Sequence, residues 1–261
     1  MGLMKSFHTE LTSGRQTNRK KVKREAAKAE AWIMEQIKLS FITETEFREW
    51  LMDGHERKWE ECAGCPLKNS RVNVMHGEGT LTPIWTMIGE GPKEREDLFG
   101  LPLQGKDGMV MRKICAKVGL RLDLAWLTDV VACRVKGDKK PAKEHRQRCR
   151  PKLEEQLGIV QPYVIVLLGK TAMQDVLVDL DRSATVREFR GLVPKEHWPT
   201  ASLGRHSTQN LKAVFVTFAP SHVTLQPTVA KKRAAAQRIA QDLKKVKRVV
   251  DFLQARRERD N

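Results

Sequence analysis

Residues 84–92 read Ile84-Trp-Thr-Met-Ile-Gly-Glu-Gly-Pro92, an apolar run that ends abruptly in a turn rich in Gly and Pro. A short, near-continuous apolar run closed by turn residues is the pattern of a strand buried on both faces. Working outward from Ile84–Ile88, the segments Ala125–Ala132, Val164–Leu168 and Ala213–Phe218 repeat it. Between them, helical patterns occupy the regions near 106–119, 144–159 and 171–178. Strands of this kind separated by helices predict a parallel sheet covered on both faces. The sequence contains no internal repeat and no low-complexity tract.

The chain has 261 residues, of which 40% are hydrophobic, enough for a sizeable core and too many for a chain that is mainly disordered. No apolar run approaches the roughly 18 residues of a membrane span, and the first residues lack the apolar stretch of a secretory signal. A cytoplasmic protein in a reducing compartment is expected. The formal charge is +16, which favours a polyanionic partner, nucleic acid first. That charge is local: residues 133–152 hold 9 basic against 2 acidic side chains and residues 229–261 hold 11 against 4, while the rest of the chain is close to neutral.

The ends are helical extensions. A basic run (Arg15, Arg19, Lys20, Lys21, Lys23, Arg24) leads into a helix to about Leu39, and Thr43 with Glu46 has capping-box spacing ahead of Phe47, Trp50 and Leu51. At the other end, Ile239, Leu243, Val246, Val250 and Leu253 recur at helical spacing, so the basic residues there are either a solvated face or a binding surface. The expected organisation is 1–60, 61–227 and 228–261. Gly169-Lys170-Thr171 does not end a phosphate-binding loop, because that motif needs a glycine five residues earlier and position 164 is Val. Gly169 reads instead as a turn, and Thr171 as a cap for the next helix.

Five cysteines in such a chain do not suggest a disulfide framework. Four form a pattern, Cys62-x₂-Cys65 and then Cys133-x₁₅-Cys149 around the most basic stretch, with Cys115 at helical spacing in a core position. Four thiolates suit either zinc or a 4Fe-4S cluster.

From Cys62 to Pro220 the chain resembles the family 4 uracil-DNA glycosylases, the iron–sulfur branch of the uracil-DNA glycosylase superfamily. The motifs, in order, are Cys62-Ala-Gly-Cys65-Pro-Leu, Met87-Ile-Gly-Glu-Gly-Pro92, Glu96-Asp97, Gly100-Leu-Pro-Leu-Gln-Gly105, Leu127-Thr-Asp-Val-Val-Ala-Cys133-Arg134, Pro141, Glu144, Cys149, the Gln156–Gly169 segment, Arg190-Gly191 and Phe218-Ala-Pro220. The resemblance implies a three-layer α/β/α fold around a central, mostly parallel four-stranded sheet. It implies that Cys62, Cys65, Cys133 and Cys149 bind a 4Fe-4S cluster. That cluster would pin a basic loop whose Arg134, Lys136, Lys139, Lys140, Lys143 and Arg146 face the DNA backbone.

It also assigns Glu90 to positioning the hydrolytic water, in a base pocket that includes Gly91 and Glu96. Three pocket positions depart from the family. Leu103 stands where a phenylalanine stacks on uracil, Asp129 where an asparagine reads its edge, and Ala219 where a histidine supports the leaving base. Position 93, usually Gly, is Lys93. An ionised aspartate only accepts hydrogen bonds, so Asp129 disfavours uracil and suits the exocyclic amine of a cytosine-type base. His222 or Lys93 could replace the missing leaving-group donor, and Val223 or Leu225 could fill the gap left by a flipped base.

The expected function is therefore a DNA glycosylase that hydrolyses the N-glycosidic bond of a flipped pyrimidine, shifted from uracil toward a cytosine-type or modified base, as in defence against phage with modified DNA. The alternatives are an inactive iron–sulfur nucleic-acid-binding protein or an ordinary uracil-DNA glycosylase. A protein partner for the N-terminal extension is not specified by its sequence.

Overall fold

The computed structural model describes residues 24, 27–36, 38, 43–181, 183–199, 203 and 208–260. The expected basic run from Arg15 to Lys23 and the helix end at Leu39 lie outside them. The chain divides into two compact units, Met1–Phe47 and Arg48–Asn261. In the first, residues 27–36 are helical, and the capping box forms as expected: Thr43 Oγ1 accepts from the Glu46 N–H at 3.2 Å while Glu46 Oε2 accepts from the Thr43 N–H at 2.8 Å. The helix this box starts, α1, is Glu44–Glu60. The division falls within α1, ahead of the boundary at residue 60 that the sequence suggests. Arg48 belongs to the second unit and donates to the carbonyls of Leu81 and Val160.

The second unit is built on one sheet. Its strands are β1 (Glu78–Gly79), β2 (Trp85–Gly89), β3 (Ala125–Asp129), β4 (Val164–Leu168), β5 (Gly191–Leu192) and β6 (Ala213–Thr217), in the order β1-β3-β2-β4-β6-β5. The four expected strands form the parallel centre, with Met87 opposite Leu127 on one side and Val166 on the other. The sheet is nevertheless six-stranded, because the two-residue strands β1 and β5 add antiparallel edges. β3 stops at Asp129, short of the expected Ala132: Val130 and Val131 leave the ladder and donate to the carbonyls of Gly89 and Glu90.

Side chains alternate between two cores. Trp85, Met87, Leu127, Val166 and Phe215 meet α3 (Lys106–Val118) and α8 (Val229–Asp260) on one face. Ile88, Trp126, Ile165, Leu167 and Val216 meet α4 (Lys143–Val160) and α5 (Gly169–Val176) on the other. Three layers result, as expected. In α8 the stripe Ile239, Leu243, Val246 and Val250 is buried, and each such side chain is worth about 1.5–3 kcal/mol. That makes α8 a layer of the fold. Cys115 is buried core, its thiol pushed up to about 12 chiefly by burial.

Among the described residues, no helix is long and apolar enough to cross a membrane.

Candidate active site

The chain lays β3 on one side of β2 and then returns to place β4 on the other. An open α/β sheet binds ligands where the strand order reverses in this way, outside the carboxyl ends of the strands. A cavity of about 310 Å³ lies at that point, with Gly89 and Glu90 from the end of β2, Thr128 and Asp129 from β3, and Leu168, Gly169 and Thr171 from β4 and α5 among its walls. Its size is at the lower end of small-molecule pockets, about 300–1,000 Å³.

Glu90 follows directly on β2 and reaches across the switch point, where Glu90 Oε2 accepts a hydrogen bond from Thr171 Oγ1. Thr171 is thus not a helix cap. α5 begins at Gly169, with Leu168 in the cap position and no side-chain cap bond. Sequence reasoning missed this partner, although the strand-to-helix turn at Gly169 was its signal. Among the described residues no protein group donates to Glu90 Oε1.

Two more carboxyl groups share the cavity. Glu96 is buried in α2 (Glu94–Phe99), and its Oε1 accepts from the Gly105 N–H at 2.7 Å while its Oε2 has no hydrogen-bond partner. Asp129 lies so close to Gly89 that a Cβ on that glycine would stand 2.2 Å from Asp129 Oδ1; the glycine is what gives the carboxyl its place. Burial, followed by the charges of Glu96 and Glu90, raises Asp129 to about 7. Two negative neighbours and no protein donor among the described residues leave it poised between acid and carboxylate near neutrality.

The remaining wall carries two of the three departures, Leu103 and Ala219, together with Gly91. Leu103 has φ +60°, the left-handed region, which costs a residue with a Cβ about 1–2 kcal/mol. α3 holds it there. Arg112 Nε donates to the Leu103 carbonyl at 3.3 Å, and Gly108 approaches so closely that a Cβ would lie 2.3 Å from Leu103 Cα. Asp107, at the start of α3, binds both Lys93 Nζ and Thr224 Oγ1, and so ties the turn after β2 to α7 (Ser221–Thr224).

His222 is not a cavity residue, contrary to expectation. Its ring stacks on Phe218 at 4.4 Å and 18°, because the first turn of α7 carries it away from the crevice that Ser221 lines. Val223 is 6% exposed and packs in the core, whereas Leu225 is 80% exposed at the cavity wall. Only Leu225 of that pair is free to project.

Around the other expected site, Cys133 and Cys149 are buried and Cys62 and Cys65 are partly exposed. Burial, then the neighbouring Cys65 and Cys62, raises Cys133 against the lowering effect of Arg71; burial pushes Cys149 up to about 11, with Cys133 and Cys65 adding to it. The four thiols are therefore electrostatic neighbours. Arg71 donates to Cys133 Sγ and to the Cys62 carbonyl, and the Ala132 N–H donates to Cys149 Sγ. Among the described residues no three His, Cys, Asp or Glu side chains group as a bound metal ion would require. As a donor set, four thiols suit zinc and iron–sulfur alike, and N–H groups are directed at two of them.

Between Cys133 and Cys149, Lys136, Lys139, Lys140 and Lys143 are exposed, and Lys140 reaches the cavity wall. The arginines of this stretch behave differently, and the exposed Arg148 sits 3.7 Å from Glu144. Arg134 is paired with Asp138 at 2.7 Å, and Arg146 binds Asp175 at 3.2 Å and the Pro141 carbonyl at 2.9 Å. Arg146 thus fastens α4 to α5, and the freely presented charge is that of the lysines.

Comparison with known proteins agrees with this architecture. The family model described as "Uracil DNA glycosylase superfamily" matches residues 76–244. The Type-4 uracil-DNA glycosylase of Thermotoga maritima is 35% identical over 144 residues, covering 55% of this chain and 74% of that protein. That of Archaeoglobus fulgidus is 32% identical over 150 residues, 56% of this chain and 75% of that protein. That of Saccharolobus solfataricus is 27% identical over 192 residues, 72% of this chain and 81% of that protein. With the match spanning the whole sheet and every wall of its crevice, the chain belongs to the uracil-DNA glycosylase superfamily, on the side of its type-4 members.

Proposed function

We propose that the chain is a DNA N-glycosylase that hydrolyses the bond between deoxyribose and a flipped pyrimidine, with its preference displaced from uracil toward a cytosine-type or modified base. The observation that carries this reading is the meeting of Glu90, Glu96 and Asp129 in one cavity at the switch point of the sheet. A base inside a duplex cannot be reached, so the nucleotide leaves the stack and Leu225, exposed at the cavity wall, fills the gap. Thr171 occupies one oxygen of Glu90 and so leaves the other to orient a water toward the sugar as positive charge develops there. Lys93, kept in the wall by Asp107, brings positive charge to the departing base in place of the missing histidine at Ala219.

Asp129, when ionised, accepts from an exocyclic amine at C4 and faces a uracil O4 with like partial charge. Leu103 leaves room that a flat phenylalanine ring would fill, which suits a substituted base. Defence against modified phage DNA is one role such a specificity would serve.

Cys62, Cys65, Cys133 and Cys149 would hold a 4Fe-4S cluster whose contribution is structural, fixing the lysine loop beside the cavity. Protein purified without oxygen is expected to be brown, with about four irons per chain. Cys149→Ser should lose colour and solubility together, while Cys115→Ser keeps both. Colourless wild-type protein with stoichiometric zinc would reject iron and keep the ligand set.

The function itself is tested by incubating the protein with duplexes carrying uracil, cytosine or modified cytosines, then cleaving abasic sites with alkali. Strand cleavage at an amine-bearing or modified base is the expected result. Cleavage at uracil alone would return the protein to ordinary uracil excision, and cleavage at none would end the glycosylase reading.

A further inference from the structure

Asp107 stands in the first turn of α3, whose Met111, Ile114, Cys115 and Val118 are buried in the core, so its backbone belongs to the rigid frame. Each of its carboxyl oxygens is taken by a different segment. Oδ2 receives the Lys93 ammonium from the turn after β2, and Oδ1 accepts from Thr224 Oγ1 in α7. A planar carboxylate with both oxygens engaged cannot turn further toward one partner without leaving the other. The residue after Asp107 is Gly108, which presses on the Leu103 backbone. Three parts of the site therefore take their reference from one helical turn.

The two contacts lead to different places. Lys93 lines the cavity with a half-exposed side chain, which without Asp107 would spread over many rotamers. Thr224 does not line the cavity but immediately precedes Leu225, which does and which projects into solvent. Among the described residues, the bond from Thr224 to Asp107 is the only hydrogen bond joining an α7 side chain to another element. The Leu225 N–H donates to the Ser221 carbonyl at 3.0 Å and closes α7, so a shift of Leu225 carries Thr224 with it. We infer that Asp107 is a positioning residue that links these two ends of the site: seating Leu225 in the gap of the stack sets the place of the Lys93 ammonium beside the base that has left it. By the same link, a base held against Lys93 keeps Leu225 seated. The inference rests on the base leaving the stack, as in the proposed function, and gives a part in that step to Asp107, which the sequence motifs pass over.

The experiment follows 2-aminopurine fluorescence in stopped flow with the full chain. Two duplexes of A·T pairs each hold one target opposite guanine, cytosine in the first and uracil in the second, with 2-aminopurine beside it; the signal rises when the neighbouring base leaves the stack. Lys93→Met and Thr224→Val are made singly and together, with Asp107 and with Asp107→Ala, and compared where circular dichroism shows each variant folded. With Asp107 present, each substitution should slow the rise. The double variant should then be about 3- to 10-fold faster than the product of the single effects, within the range of coupling between residues of one hydrogen-bond network. That excess should vanish in Asp107→Ala. Asp107→Asn keeps an acceptor for Thr224 and gives up the charge that fixes Lys93, so there Thr224→Val should still slow the rise and Lys93→Met should add nothing. Single effects that multiply with Asp107 present, an excess that survives Asp107→Ala, a full Lys93→Met effect in Asp107→Asn, or no rise with the wild type on either duplex overturns the inference. The fluorescence is read before any bond is cleaved. Release of no base would remove the glycosylase reading and leave the coupling standing, while independent effects on a duplex whose base is released would do the reverse.

Discussion

Glu90→Ala is expected to slow base release by about 10²–10⁴-fold, the range contributed by a positioned acid–base group, while leaving duplex affinity nearly unchanged. The separation follows from where Glu90 sits. It lines the cavity at the end of β2 and is held by Thr171, whereas the exposed lysines proposed to meet the DNA backbone come from the loop after β3. Single-turnover release and equilibrium binding, measured on the same duplex, check it. Release at the wild-type rate would remove Glu90 from the water-positioning role. Thr171→Val offers a graded companion: it keeps the carboxylate and removes its orientation, so it should lower the single-turnover rate less than Glu90→Ala does.

The second large effect concerns Asp129 and pH. Its carboxyl is raised to about 7, first by burial and then by Glu96 and Glu90, so it is increasingly protonated below that pH and ionised above it. Ionised, it can only accept, and a 4-amino base pairs with it. Protonated, it offers one O–H donor beside one acceptor oxygen, the pattern that an asparagine amide presents to uracil. The wild type should therefore favour the amine-bearing base near pH 8 and release relatively more uracil near pH 6, with the ratio turning around pH 7. One edge contact of this kind is worth about 1–3 kcal/mol, or roughly 5- to 150-fold. Asp129→Asn should favour uracil with a ratio that no longer moves through this range. A wild-type ratio that stays flat with pH would show that the Asp129 proton does not read the base. Uracil cleavage in the Asn variant should be slow for want of a donor at Ala219, and adding Ala219→His should speed it.

The parallel centre of the fold is legible because a strand buried on both faces has to be apolar almost throughout, and Val164–Leu168 shows that pattern with its ends where the sequence suggests them. The edges are not legible. Glu78–Gly79 and Gly191–Leu192 are too short to display any periodicity, and their pairing exists only because β3 and β6 present free sides. Val130–Ala132 misleads in the other direction, since a buried loop is as apolar as a strand. Within the site, Glu90 and Asp129 stand at strand ends that the sequence itself locates. Thr171 does not announce itself, because its bond to Glu90 joins positions 81 apart. Nor does the rejection of His222 from the cavity, which depends on how one turn of α7 faces Phe218.

The left-handed backbone at Leu103 bears on how the pocket can change over generations. Leucine and phenylalanine, neither of them β-branched, meet a similar conformational penalty there, so exchanging one for the other adds little to it. The constraint is carried by Gly108, which admits no Cβ against Leu103. Position 103 is thus free of a backbone bias between leucine and phenylalanine, and what an exchange there must meet is the packing of its side chain against the core. A lineage exploring that pocket would find substitution purged first at Gly108, where any Cβ collides with the Leu103 backbone.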